Sequence, residues 1–466
     1  MIKRYFKIFA ISTLLVSFAA SCDGLLDTEP TVAASSDQII QSASGMDAVL
    51  TSAYDRIRSS NMYRYWIMAG PEVLADNSEL HPVNSGRFGT QAENAHGSHF
   101  TTGLWSTAYR LINEANIIIN GADETETSQS HRDRLKGEAL FLRGMAYHEM
   151  LRVYAYEPNH PKINDWNEGV IMRTEPTLGL SAADRRPRGT VLDGYQQAEM
   201  DFLDALELLE GNDRGSVYFA DVAAVHAGLA RLYLYWERWA DALNHAEEAF
   251  SRAKGGLVDF NDYDNIFDIL PNPESIFELS FDTFHGSSGS LNAVTHPPPG
   301  WFDALPSAEL LALYDDEDLR NNLFEVHTDG YPYILKYTGT VGQNTDHLPV
   351  FRVAEMLLIQ AEAHYELDDE EAAVEALELL RSHRGLEGYE TAPAGEALLE
   401  EIYDERRREL AFEGHRWFDL KRRAMDVPKP AVNLNPDVPW DDVRILAPLS
   451  DTQVENNEHL NQNPGY

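Results

Sequence analysis

At 466 residues the chain can bury a large core, and length alone would allow roughly two to four domains. A formal charge of −39 excludes a grip on nucleic acid or anionic lipid, since both depend on Lys and Arg neutralising phosphates. The single cysteine, Cys22, excludes a disulfide framework and a thiolate metal site, while 43% hydrophobic and 10% aromatic residues are the content of a globular protein.

The position of Cys22 accounts for it. Lys3, Arg4 and Lys7 form a basic start, residues 8–20 are an apolar run too short to span a bilayer, and Ala19, Ala20 and Ser21 are small residues before the cysteine. This pattern resembles a bacterial lipoprotein signal, in which residues 1–21 are removed and Cys22 becomes the lipidated first residue. Residues 22–44 are small and polar and read as a tether. The remainder, 45–466, reads as a single body with an N-terminal helical part (45–254), an irregular part (255–349) and a C-terminal helical part (350–466). Beyond the leader only Lys136, Lys162, Lys254, Lys336, Lys421 and Lys429 are lysines. Dense carboxylate with so little lysine fits a saline habitat, where screening makes the charge tolerable.

Residues 45–58 carry Met46, Val49, Leu50, Ala53, Tyr54 and Ile57 at helical spacing. The stretch 61–100 breaks that pattern, mixing Gly, Pro, Asn and His with aromatic residues, and reads as long loops that carry function. Helical spacing returns over 105–120 and 131–154. Two later segments place large and small residues as tetratricopeptide hairpins do: Leu229, Ala230, Tyr233, Ala242, Ala246 and Ala249 within 220–252, and Leu358, Ala361, Ala373, Leu377 and Leu380 within 351–381. The alanines let paired helices approach closely. Their separation in sequence excludes a tandem solenoid and predicts hairpins that assemble in space, with the insertions gathered on one side. Prolines from Pro271 to Pro332 exclude long helices from the irregular part, where short strands fit 276–281 and 333–337. Ser450 with Gln453 forms a capping box for a short last helix, and the chain ends on a rigid Asn-Pro-Gly-Tyr turn.

In residues 401–423, EIYDERRRELAFEGHRWFDLKRR, the side chains of Leu399, Ile402, Tyr403, Leu410 and Trp417 share a helical face with Arg406 and Glu413. A charge on a core-facing stripe is costly unless a partner meets it. Arg406, Glu409, Glu413, Arg416 and Trp417 therefore read as a structural motif, and Arg352, Glu355 and Glu362, at helical steps on 351–366, as partners that fix the register of two helices. Gly414 reads as the glycine that stops the first helix.

No catalytic constellation stands out. The acidic clusters 315–318 and 368–371 lack the order of a calcium loop, and Asp259, Asn261, Asp262 and Asp264 suit loop solvation better than a structural calcium. His81, His96 and His99 share one region without a zinc-binding spacing. Aromatic residues are more informative, because sugar C–H faces stack on rings while hydroxyls need amides, acids and arginines. Tyr63, Tyr65, Trp66, Phe88 and Phe100, with Trp301 and Phe302 after the triple proline, meet the first need, and Asn77 and Arg87 the second. Trp66 and Trp301 lead this set, whereas Trp105, Trp236, Trp239 and Trp417 sit on packing patterns.

Three stretches together resemble the SusD/RagB family of surface substrate-binding lipoproteins of Bacteroidota: the 405–423 motif, FRVAEMLLIQAEAHYE at 351–366, and QNPGY at 462–466. Residues 105–120 and 137–158 are similar to its N-terminal helices, and Asp318-Leu319-Arg320 to its Asp-x-Arg element. Ala447-Pro448-Leu449 departs from the family's Pro-Ile-Pro. The resemblance implies a mostly α fold, with tetratricopeptide-like hairpins as scaffold, an irregular ligand-binding portion and a few short strands. It implies lipid anchoring at the outer membrane, facing outward, and a SusC-like TonB-dependent barrel as partner. It further implies capture of glycans, or in some branches peptides, with no catalysis and no cofactor. A helical-repeat scaffold that binds only protein is the rival reading.

Overall fold

The computed structural model describes residues 42–94, 100, 103–179, 181, 184–282, 290–432 and 436–466. The leader, Cys22, the tether as far as residue 41, His96 and His99 lie outside the described residues.

Helix α1 (Ala43–Ile57) starts where the Ser42 hydroxyl accepts the Gly45 amide. The stretch 61–100, expected as loops, holds α2 (Trp66–Leu74), strand β1 (Ser78–Leu80) and the single turn α3 (Gly89–Ala92). Gly70 and Pro71 obscure α2 in the sequence, since proline removes a helical hydrogen bond. Burial of every residue from Ile67 to Leu74 outweighs that loss. There follow α4 (Gly103–Gly121), α5 (Gln129–Tyr154), α6 (Val191–Leu209), α7 (Val222–Tyr235) and α8 (Trp239–Arg252). Helix α5 is the axis of this part, with every residue from Gly137 to Tyr154 buried.

The irregular part contributes β2 (Ser275–Leu279), α9 (Leu291–Thr295), β3 (Ala304–Pro306), α10 (Ala308–Leu311), β4 (Phe324–Val326) and β5 (Pro332–Ile334). Strand β6 (Leu348–Arg352) leads into α11 (Val353–Glu366), α12 (Glu370–Ser382), α13 (Glu396–Leu410), α14 (Arg416–Arg422) and α15 (Asp451–Asn456). The strands form three antiparallel pairs, β1 with β3, β2 with β6 and β4 with β5. The β2–β6 pair joins the irregular part directly to the first C-terminal helix.

Helices pack in series, α1 on α4, α4 on α5, α5 on α6, α6 on α7 and α7 on α8. The series continues from α8 onto α11, which packs on α12 and α13, so the two hairpins distant in sequence are neighbours in space. Ala242, Ala246 and Ala249 are fully buried at these contacts, as small packing residues should be. One apolar core runs from Met46 to Leu460, and a smaller cluster fills the space among α11, α12 and α13. Asn463 closes the chain onto this core. Its amide donates to the carbonyls of Tyr154 (2.9 Å) and Ala447 (2.7 Å), and its oxygen accepts from Trp166 (3.1 Å) and Arg188 (2.8 Å). Among the described residues no helix is long and apolar enough to cross a membrane.

Candidate functional site

Pairing of β1 with β3 carries the 81–88 loop against residues 301–303. The Asp303 carbonyl accepts the His81 amide at 3.0 Å. The fully buried Asp303 carboxylate accepts the Ser85 amide (2.9 Å) and hydroxyl (3.0 Å), and it pairs with Arg87 at 3.2 Å. Arg87 lies flat over the Trp301 ring, its guanidinium carbon 3.7 Å from the ring centroid, and its side chain is still 39% exposed. Such a stacked cation on an aromatic plate stabilises both and leaves guanidinium N–H groups facing outward.

Around this pair the rings of Tyr65, Trp66, Phe88 and Trp301 form one group. Tyr65 stacks on Phe88 at 5.2 Å and meets Trp66 (5.2 Å) and Trp301 (6.3 Å) edge to face. Tyr65 and Phe88 are buried, while Trp66 and Trp301 are half-buried at the edge of the core. A second group adjoins it: Phe302 contacts His81 (4.8 Å), His327 (5.5 Å) and Tyr333 (6.3 Å), and His81 contacts Tyr331 (4.6 Å). Phe88 and Phe302 both have left-handed backbones, φ 59° and 54°, a strained choice for bulky residues that the surrounding pairings hold in place. The result is a rigid plate of rings with hydrogen-bonding groups at its rim, a surface chemically suited to a ligand with both C–H faces and hydroxyls.

The other sequence-predicted ligand residues lie elsewhere. Tyr63 is buried and donates its hydroxyl to Glu149 at 2.6 Å. Phe100 is buried and stacks on Phe418 at 5.7 Å. Asn77 is 1% exposed, donates to Glu72 (2.7 Å) and accepts from Arg407 (2.8 Å). All three are core groups, and the polar atoms of Tyr63 and Asn77 are already used, so none of them faces a ligand on the aromatic plate. Asp303, Ser85, Tyr331 and Tyr333 belong to the face although sequence reasoning passed over them; the signal available was only that Asp303 follows the two selected aromatics. Among the described residues no three His, Cys, Asp or Glu side chains gather as a metal site, so Asp259, Asp262 and Asp264 form no calcium cluster. Asp259 instead caps the following turn by accepting from Asn261.

A cavity of about 940 Å³ lies between α4, residues 171–185 and α15. Several of its polar groups hold the surrounding structure together, however. Asn113 exchanges hydrogen bonds with Thr177, Asn116 donates to the carbonyls of Arg173 and Glu175, and the Tyr109 hydroxyl binds both polar backbone atoms of Ile171. These contacts hold the 171–177 segment against α4, and Trp105 is 3% exposed. Half-buried tryptophans beside a partly exposed guanidinium make the aromatic face the better candidate.

The charged motif is interior. Glu409 accepts from Arg352 (3.0 Å) and Arg384 (2.9 Å), and Glu413 from Arg352 (2.7 Å) and Lys336 (2.6 Å). Glu274 accepts from Arg352 (2.8 Å) and Arg384 (2.9 Å), while Arg320 links Asp318 (2.7 Å) to Glu405 (2.7 Å). Burial works against the charged form of Glu405, but Arg320 and Arg408 overcome it and hold its carboxyl at about 2. A second group joins α11, α13 and α14. Arg406 donates to Asp419 (2.9 Å), Arg422 to Glu362 (2.6 Å), and Arg231 to Glu355 (2.6 Å). Arg416 binds Asp76 at 2.7 Å, and Trp417 is 1% exposed. Helix α13 ends at Leu410, earlier than Gly414 would stop it; Gly414 instead turns the chain at φ +82°. There the Gly414 and His415 amides donate to Glu72 at 3.0 and 3.2 Å.

The helical hairpins and the half-buried aromatic face are the features to set beside known proteins. The SusD family model matches residues 325–466, and a second model, described as starch-binding associating with outer membrane, matches 25–234. SusD-like protein P2 of Formosa agariphila is 25% identical over all of both chains, and a SusD-like protein of Bacteroides ovatus is 23% identical over 89% of this chain and 82% of its own. A putative sugar binding protein from Bacteroides vulgatus superposes with a TM-score of 0.80 at 24% identity, covering 91% of this chain and 99% of that one. A SusD superfamily protein from Bacteroides thetaiotaomicron gives 0.81 at 23%, covering 91% and 100%. Over its whole length the chain is similar to SusD-like proteins, and the two family models match different parts of it.

Proposed function

We propose that this protein captures oligosaccharides on the face around Trp66 and Trp301 and passes them to a SusC-like TonB-dependent outer-membrane barrel, while anchored by lipid at Cys22. The observation that carries the reading is the half-buried Trp301 plate with Arg87 stacked on it and braced by the buried Asp303. The plate offers a ring edge and outward N–H donors together, which is what a polyhydroxylated ring needs. One structural relative is itself a putative sugar binding protein, which supports the same ligand class. Catalysis forms no part of the proposal, because the one acid beneath the plate, Asp303, is fully buried and already holds Ser85 and Arg87.

Calorimetry of the mature protein against a panel of polysaccharides and peptides tests this. A sugar ligand is expected, with Trp66→Ala and Trp301→Ala each weakening binding by the folded fraction about tenfold, or ~1.4 kcal/mol, beyond the loss of stability that removing a half-buried ring brings. Tight peptide binding with no sugar bound would replace the glycan reading. Unchanged affinity in both variants would show that the ligand sits elsewhere.

A further inference from the structure

The Asp303 carboxylate lies fully buried beneath the aromatic face, so its charge needs a partner inside the protein. Among the described residues the one cation it meets is Arg87, whose Nη1 donates to Oδ2 at 3.2 Å. The amide and hydroxyl of Ser85 donate to Oδ1 at 2.9 and 3.0 Å, and the same hydroxyl accepts from Nη1 of Arg87. Nη1 is therefore turned inward. The Nε and Nη2 groups of Arg87 donate to no described residue and are left for a ligand beside the Trp301 ring on which the guanidinium lies.

Arg87 thus offers donors without a net charge, because the pair it makes with Asp303 is neutral as a unit. The other charged groups of this face are acids. Asp329, exposed on the β4–β5 turn, stands 3.4 Å from His81 and 2.9 Å from His327, and Glu325 accepts from the Tyr333 hydroxyl. Among the described residues no lysine and no second arginine lies over a ring of the face. An uncharged sugar needs only N–H donors and a ring to stack on. A carboxylate or sulfate would be drawn to Arg87 but repelled by Asp303 on its inner side, by the acids of the β4–β5 hairpin and by the net charge of −39. Building on the glycan reading above, we propose that Asp303 sets the charge selectivity of this face. It touches no ligand, but by neutralising Arg87 it makes the face favour uncharged sugars over uronate or sulfated ones.

Calorimetry at about pH 8 and low salt tests this with soluble starch, laminarin and galactomannan, each intact and after oxidation of its primary hydroxyls to carboxylates. At least one intact glycan should bind, and its oxidised form should bind about tenfold more weakly or worse. Oxidation also removes a hydroxyl, so the electrostatic share is read from salt: the gap should narrow severalfold at 1 M sodium chloride, where screening shortens to about 3 Å. Asp303→Asn keeps an acceptor for Ser85 and removes the charge, so the ratio of the two affinities should move about tenfold toward the oxidised glycan. Equal or tighter binding of the oxidised form by the unaltered protein, or an unmoved ratio in folded Asp303→Asn, would overturn the inference and leave glycan capture standing. Binding of no glycan, intact or oxidised, would remove the capture reading and this inference with it. The comparison of intact with oxidised glycan needs no variant, so misfolding of Asp303→Asn leaves it decisive.

Discussion

Glu413 shows what a single charge does in this interior. Burial disfavours its carboxylate, yet Arg352 and Lys336 together bring it below the ordinary carboxyl range. Lys336 spends its other contact on the Glu409 carbonyl at 2.8 Å, so it has no second carboxylate to turn to. Glu413→Ala is therefore expected to lower stability by about 3–5 kcal/mol, the usual result of leaving half a buried pair behind. Urea unfolding measures this directly. Glu413 contributes no atom to the aromatic face, so ligand affinity of the folded fraction should be unchanged; a loss of affinity without a loss of stability would refute the structural role. The sequence betrayed this role because charge recurred on an apolar helical face. It could not show that Glu274, Arg320 and Arg384, from three other segments, complete the group.

At the level of elements, legibility followed periodicity. Helices α1 and α4 and the two alanine-rich hairpins were readable because their core faces repeat every three or four residues, whereas α5, buried all round from Gly137 to Tyr154, was readable from its length without a break. Helix α2 was not: it is buried on nearly all sides, so no polar face marks it, and Pro71 suggests a break. Its importance lies in Glu72, fully buried, with Oε1 accepting both amides of the Gly414–His415 turn. That contact ties the most recognisable segment to the helix that begins with Trp66. Gly414 is needed there twice over, since its backbone is left-handed and an added Cβ would sit 2.3 Å from the Ile67 carbonyl oxygen. Gly414→Ala should consequently destabilise by about 2 kcal/mol or more, exceeding the strain term alone. Chemical denaturation gives the number, and a change under ~0.5 kcal/mol would show that the turn relaxes freely. The aromatic face was half legible for a related reason. Ring-rich loops signalled a binding region, but only pairing of β1 with β3 decides which rings reach its edge, and that pairing leaves Tyr63 and Phe100 inside.

Across the whole molecule the charge is divided by depth. Inside, carboxylates and guanidiniums meet in close pairs, and three of the six lysines beyond residue 22, Lys336, Lys421 and Lys429, are buried. The other three are tied up as well: Lys136 with Asp123, Lys162 with Asp165 and Lys254 with Asp221. Interior pairing cancels, so the excess behind a net charge of −39 sits on the surface, where like charges repel one another through water. That repulsion opposes the compact state and reaches about 30 Å at 0.01 M salt but only about 3 Å at 1 M. Unfolding spreads the same charges apart, so screening should favour the folded chain. The melting temperature is thus expected to climb by several degrees as sodium chloride rises from low to molar concentration. The buried pairs are insulated from salt and should contribute nothing to the trend. A flat response would mean that surface arginines such as Arg56, Arg238 and Arg252, each paired with an acid, already neutralise the field locally, and the saline-habitat reading of the composition would fall with it.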